Sequence, residues 1–294
     1  MEQFTVAGDG FHGFLHRPER DQYPGRAVIV VGGSEGNDHI PVEMGKLFAD
    51  SGLTALGLCY WNVPGLPGEL YDVPVESVEK AARWLLDHGF QKVAMYGISK
   101  GGELTLTAAS LLPEIGCVVA VSPLQCVMEG ITGSGSMLKK GLAGHSSWTW
   151  RGKPLPYAPG NASRLAIKLG VMRRFLTQRQ MNMSFLYERA LGGAPAEAVI
   201  PVERIRGPVL LIAAEHDTMW PSAAACRAVE ARLGEHGFPY PVKRLEYPLA
   251  SHILVPLETD ARRAFRVERE HPGECAASCA DAFQKTLEFL REWQ

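Results

Sequence analysis

The sequence predicts one domain of the α/β class, wound on both sides of a mostly parallel sheet and carrying one insertion. Three features predict it. Short, β-branched apolar runs recur along the chain and end abruptly in glycine-rich turns. Stretches of helical periodicity separate these runs. The alternation lapses at about Pro123 and resumes at Pro208.

In order, Phe4–Ala7 and Gly13–His16 read as short strands around the turn signal Gly8-Asp9-Gly10. Arg26–Val31 (RAVIVV) has the composition of a buried parallel strand and stops at Gly32-Gly33-Ser34-Glu35-Gly36. Pro41–Ser51 fits a helix closed by Gly52, and Leu53–Leu58 fits the next strand. Val73–His88 sets Val75, Val78, Ala82 and Leu85 on one helical face and stops at Gly89. Lys92–Tyr96 reads as a strand, Gly97–Gly102 as a tight turn, and the run to Leu112 as a helix. Gly116–Val121 and Pro208–Ala213 are further strands, followed by a helix over Ser222–His236 and a strand over Val242–Tyr247. A helix at Glu274–Trp293 closes the chain, and residues 1–294 read as one domain. Residues 125–206 form the insertion: a Gly/Ser stretch (Gly130–Gly144), a Pro- and Trp-containing loop (Ser146–Pro159) and a helical segment (Ala162–Leu191). A lid over a pocket is expected at that place.

Composition narrows the classes. Hydrophobic residues at 46% and charged residues at 21% belong to a globular chain, long enough to bury a sizeable core. A net charge of −2 argues against a surface built as a whole for nucleic acid or an anionic membrane. The N-terminal stretch carries Glu2 and Asp9 and no signal-peptide core, and no run approaches the ~18 apolar residues of a membrane span. With six scattered cysteines, these features predict a cytoplasmic protein with reduced thiols. Cys275 and Cys279 are the one close pair, and without further ligands at useful spacing they predict no metal site.

The strongest local signal is G-x-S-x-G at Gly97–Gly101, preceded by the strand KVAMY and followed by a helix. A serine hydroxyl attacks a carbonyl only with a base beside it, and a sharp strand-to-helix turn lifts Ser99 out of the core for that purpose. Glycine-rich Gly32–Gly36 can present a backbone N–H, from Ser34 or Glu35, toward a developing oxyanion; the N–H of Lys100 is its partner. The order serine, acid, histidine then selects Asp217 after PVLLIAA and His252 after KRLEY, both past strand ends on the carboxyl edge. His252 is the base and Asp217 orients it. Glu215 is the alternative acid, and His216 and His145 are the alternative bases.

At this point the run from about Ala27 to His252 resembles the C-terminal catalytic domain shared by acyl-CoA thioesterases and bile acid-CoA:amino acid N-acyltransferases, within the α/β-hydrolase superfamily. The matches include Gly32–Gly36, Gly97–Gly101, Ser147-Trp148 and Gly152–Tyr157. Ile200–Glu203, Trp220-Pro221-Ser222, His236–Tyr240 and Ser251-His252 are similar as well. The resemblance implies an α/β-hydrolase fold with Ser99, Asp217 and His252 on the family's triad positions, an acyl-CoA or small acyl ester as substrate, and no cofactor. Animal members carry a further N-terminal β-sandwich domain, for which the residues ahead of Ala27 leave no room. The family's amino acid transferases use cysteine where Ser99 stands, and water hydrolyses a serine ester more readily, so hydrolysis is implied over transfer. The competing readings are a carboxylesterase or dienelactone-hydrolase-like esterase, an amino acid N-acyltransferase, and a non-catalytic binding protein of the same fold.

Charge is unevenly spread. From Lys139 to Arg206 the basic residues are Lys139, Lys140, Arg151, Lys153, Arg164, Lys168, Arg173, Arg174, Arg179, Arg189, Arg204 and Arg206. Only Glu188, Glu197 and Glu203 oppose them, a local excess of 12 − 3 = 9 positive charges. Such a segment attracts anionic substrate groups, of which the phosphates of coenzyme A are one example, or serves as a solvated face. Met172, Phe175, Met181, Met183, Phe185 and Leu186 could line an acyl pocket, but such residues more often pack an insertion onto its body.

Overall fold

A computed structural model describes residues 1–133 and 141–293. Its central sheet holds β1 (Glu2–Phe4), β2 (His12–His16), β3 (Arg26–Val31), β4 (Thr54–Cys59), β5 (Lys92–Ile98), β6 (Ile115–Val121), β7 (Val209–Ala214) and β8 (Val242–Tyr247). The spatial order is β1-β2-β4-β3-β5-β6-β7-β8, in which β2 runs antiparallel to both neighbours and every later pair is parallel. Seven longer helices accompany it: α1 (His39–Asp50), α2 (Glu76–Asp87), α3 (Lys100–Leu111), α4 (Arg164–Gln178), α5 (Ser184–Gly192), α6 (Ser222–Glu235) and α7 (Pro272–Glu292).

The parallel strands read as unbroken apolar runs because both faces are covered. Val28, Val30 and Tyr96 pack against Met44 and Phe48 of α1 and Ala282 and Leu290 of α7. Ile29, Val31 and Met95 face the other way, toward Val78 of α2, Leu104 of α3 and Val229 of α6. The doubly wound α/β class is therefore observed. Among the described residues, no helix is long and apolar enough to cross a membrane.

Several local expectations need correction. The first strand ends at Phe4, not Ala7, because the Thr5 hydroxyl accepts from the Gly8 N–H and caps a helical turn over Val6–Asp9. Helix α2 begins at Glu76; Val73–Pro74 instead pairs with Trp148 and Thr149 in a small separate sheet. The stretch Ser146–Pro159 is likewise less of a loop than expected, since Trp148–Trp150 and Lys153–Pro154 form an antiparallel pair there. The Gly/Ser stretch contains paired strands at Glu129–Thr132 and Gly141–Ser146. Lys139 and Lys140 lie outside the described residues.

The excursion between β6 and β7 has two unlike halves. Trp148, Ile200, Val202 and Ile205 are buried in the same core as α2 and α3. By contrast, of the fifteen residues of α4 only Ile167 is buried.

Candidate active site

Strand β5 ends at Ile98 and α3 begins at Lys100, so the whole reversal falls on Ser99, at φ 58° and ψ −122°. A side-chain-bearing residue is strained there. The turn closes because its neighbours are glycines: a Cβ on Gly97 would overlap the Gly101 carbonyl, and one on Gly101 would overlap that of Gly32. The Ser99 N–H donates to the Val121 carbonyl at 2.9 Å and fixes the elbow to β6.

The structure brings the three sequence-selected residues together. His252 Nε2 lies 2.8 Å from Ser99 Oγ, and His252 Nδ1 lies 2.7 Å from Asp217 Oδ2. A carboxylate only accepts, so Nδ1 carries the proton and Nε2 is left to accept from the serine hydroxyl. Asp217 is held in turn: Ser222 Oγ–H donates to Oδ2 at 2.6 Å, and the Met219 N–H donates to Oδ1 at 2.8 Å. The edge-on Trp220 ring packs against the imidazole with centroids 5.3 Å apart, and its Nε1–H donates to the Ser122 carbonyl at 2.9 Å. Ser122 Oγ–H closes the loop by donating to the His252 carbonyl at 3.0 Å. Ser222 and Trp220 sit in a motif quoted above, but their contacts to Asp217 and His252 were not legible from it.

The alternatives fall elsewhere. Glu215 and His216 are exposed on the turn after β7, and His145 pairs with Asp72 at 3.0 Å.

Loop Gly32–Gly36 runs beside the elbow, since a Cβ on Gly33 would lie 3.1 Å from that of Ser99. Tyr60 Oη–H donates to the carbonyls of Gly33 and, at 3.2 Å, of Gly32. Burial pushes this phenol well above its ordinary range, which keeps it a donor. A trans peptide points its N–H opposite to its C=O, so anchoring the Gly33 carbonyl on Tyr60 turns the Ser34 N–H away from Tyr60. The Glu35 carboxylate folds back over Gly32 and Gly33, a placement that a reading of its backbone alone did not anticipate.

Lys100 does more than begin α3. Its side chain is buried, and Nζ donates to Glu103 Oε2 at 2.9 Å and to Ser147 Oγ at 2.6 Å. Glu103, also fully buried, accepts from Trp148 Nε1–H at 2.8 Å and from the Met128 N–H at 3.0 Å. Burial holds the Lys100 ammonium below the usual lysine range, against the pull of Glu103. A satisfied buried ion pair thus ties the residue after Ser99 to the anchored half of the excursion.

An apolar cavity of about 450 Å³ is lined by Ser34, which follows the Gly33 that abuts Ser99, by Met219, whose N–H donates to Asp217, and by Ile167, Met172, Phe175 and Leu186 among others. Met181 and Met183 also line it. Of the six side chains read above as possible pocket walls or packing residues, five line the cavity; Phe185 instead carries Arg174 on its ring face at 3.9 Å.

Residues 73–293 match the family described as BAAT / acyl-CoA thioester hydrolase C terminal. Acyl-coenzyme A thioesterase 2, mitochondrial, from Homo sapiens is 27% identical over 242 residues, which make up 81% of this chain and 44% of that protein. The peroxisomal succinyl-coenzyme A thioesterase of Mus musculus is 24% identical over 242 residues, 81% of this chain and 51% of that protein. The chain spans about half the length of the curated relatives it matches. Among solved structures, α/β hydrolase GrgF from Penicillium sp. sh18 superposes with a TM-score of 0.53 at 17% identity, covering 96% of this chain and 93% of that one. An esterase/lipase from an uncultured bacterium gives 0.54 at 18% identity, covering 99% and 83%. These likenesses show the α/β-hydrolase fold.

Proposed function

We propose that this chain, which belongs to the BAAT / acyl-CoA thioester hydrolase C-terminal family, hydrolyses acyl thioesters through an acyl-enzyme on Ser99. The observation that carries the reading is the continuous hydrogen-bonded row Ser99–His252–Asp217, at 2.8 and 2.7 Å. Ser99 Oγ attacks the thioester carbonyl while His252 Nε2 takes its proton, and Asp217 stabilises the imidazolium through Nδ1. Backbone N–H groups of Ser34 and Lys100, with Glu35 as the alternative donor, hold the oxyanion. His252 returns the proton to the departing thiolate. It then takes a proton from water, which attacks the acyl-enzyme and releases the acid and Ser99. Every acid, base and nucleophile in this scheme comes from the chain, so the scheme calls on no cofactor.

The apolar cavity beside Ser34 and Met219 supports an acyl chain as the group bound next to Ser99. The excursion over residues 125–206 is read as a lid, with α4 as its outer wall. Six buried, unpaired thiols support a reducing compartment such as the cytoplasm.

The test is release of free thiol from acyl-CoA esters of graded chain length, with p-nitrophenyl esters and Ser99→Ala beside them. Thiol release that disappears in the variant is expected, falling by at least about 10³-fold. Ester cleavage without turnover of any acyl-CoA would replace the thioesterase reading by a carboxylesterase. Conjugates formed on adding glycine or taurine would replace hydrolysis by transfer.

A further inference from the structure

Helix α4 is the least embedded element around the cavity, and its sequence is unusual for such a position. Large hydrophobic side chains are exposed at seven sites among the described residues, and five belong to α4: Leu165, Leu169, Met172, Phe175 and Leu176. Leu165 and Leu176 are 67% and 73% exposed. At 100° per residue, Leu165, Leu169, Met172 and Leu176 fall within one narrow stripe, with Phe175 at its margin. A helix that merely covers a pocket has no reason to place leucines on its outer side, since their exposure costs apolar free energy.

The charged residues of the helix are all cationic. Arg164, Lys168, Arg173 and Arg174 lie within it and Arg179 caps its C-terminus. No Asp or Glu occurs in the sequence between Gly130 and Tyr187. Lys168 and Arg173 flank the apolar stripe on either side, which is the arrangement of a helix lying in a bilayer interface. The chain's net charge of −2 conceals this face, because the opposing carboxylates lie on other segments.

A second observation gives the face direction. Leu169, Met172 and Phe175 belong both to the exposed stripe and to the wall of the cavity that reaches Ser34 and Met219. Beyond α4 the chain is pinned to the loop bearing Asp217: the Met183 N–H donates to the Thr218 carbonyl and Thr218 Oγ1–H to the Met181 carbonyl, both at 2.8 Å. The exposed stripe and the cavity wall thus share three side chains of α4, Lys168 joins them at the wall, and the same wall includes Ser34 and Met219, which flank the loops of the candidate active site.

We propose that α4 is an interfacial docking helix that seats the protein on an anionic lipid bilayer, with the cavity mouth facing the acyl region. Leucines 165, 169 and 176 enter the headgroup boundary while Lys168, Arg173 and Arg179 meet anionic headgroups. The docking itself does not depend on the reaction assigned to Ser99, and its test needs no turnover.

The experiment is flotation of the whole chain with phosphatidylcholine vesicles, with and without about one third phosphatidylserine. Binding to the anionic vesicles is expected, weakening as salt is raised from 0.1 to 0.5 M as screening grows. Arg173→Ala should lower partitioning about fivefold, the share of one basic residue near such a surface. The double variant Leu165→Gln/Leu176→Gln should lose binding while keeping its melting temperature and its cleavage of p-nitrophenyl acetate, because neither side chain lines the cavity. Absence of wild-type binding to anionic vesicles at low salt would overturn the proposal, and so would undiminished binding by the double variant. Light scattering that shows a dimer abolished by the same two changes would assign the face to a second copy instead.

Discussion

Glu103→Gln is the sharpest probe of how the elbow is held. Gln keeps a carbonyl oxygen that accepts from Trp148 and Met128, but removes the charge that neutralises Lys100 and puts an amide NH2, which only donates, where Oε2 accepts from the ammonium. The ammonium is then buried among Ser147 and Trp148 without a counter-ion. Breaking a buried pair from one side costs about 3–5 kcal/mol, a fifth or more of the about 5–15 kcal/mol that holds an ordinary domain together. Lys100→Met/Glu103→Gln removes the stranded charge as well and should recover most of that loss, since buried pairs are often matched by apolar replacements. The loss should also depend on pH. Burial already places Lys100 below the usual lysine range, so the unfolded chain binds a proton that the folded chain releases. Stability therefore rises with pH through that window, and rises more steeply in the single variant. Urea unfolding followed by tryptophan fluorescence from pH 7 to 9.5 measures all three proteins. Equal losses in the single and double variants would refute the argument, because the damage would then come from lost packing and not from an unpaired charge.

Two further outcomes follow from the packing. A methyl group at Gly101 collides with the Gly32 carbonyl, so Gly101→Ala should yield insoluble protein, whereas Gly68→Ala, with nothing near its Cβ, should behave as wild type; comparable soluble yields would contradict this. Burial raises the Cys59 thiol to about 12 and the Cys126 thiol to about 11, so the unfolded chain loses these protons first. The stability they confer is complete below about pH 8.5 and falls toward pH 11 by about 1.4 kcal/mol per pH unit for each thiol. Melting temperatures over that range should fall less steeply in Cys126→Ala, and parallel slopes would count against the assignment.

The parallel sheet was legible because buried strands carry no alternation, and RAVIVV, KVAMY and PVLLIA have few other uses. Ser99, Asp217 and His252 were legible because chain order and strand ends restrict where a loop can project. What escaped depends on distance in space. Nothing in Lys100-Gly101-Gly102-Glu103 announces that its cation will meet Ser147, 47 residues later. The Thr5 cap escaped because one hydroxyl decided between strand and turn at the N-terminal edge. The cavity walls stayed undecided for a different reason: Met172, Phe175 and Leu186 look the same in sequence whether they pack a core or enclose a hollow.

That ambiguity separates only when each half of the excursion is weighed by what it buries. Where Trp148 and Ser147 meet Lys100 and Glu103, burial is complete and every polar atom of the pair has a partner, so this half has one arrangement. Where α4 stands over the cavity, a single side chain is buried, and its other apolar ones line the cavity or lie exposed on the surface. Few buried contacts make that half the one with the lower local opening free energy. Each half reaches a different loop of the candidate site, the first the elbow through Lys100 and the second the loop after β7 through Thr218 beside Asp217. A disturbance of the ion pair should therefore register in global stability and in the elbow together. A disturbance of the outer leucines should register in surface binding alone, and it is this separation that lets the two tests fail independently.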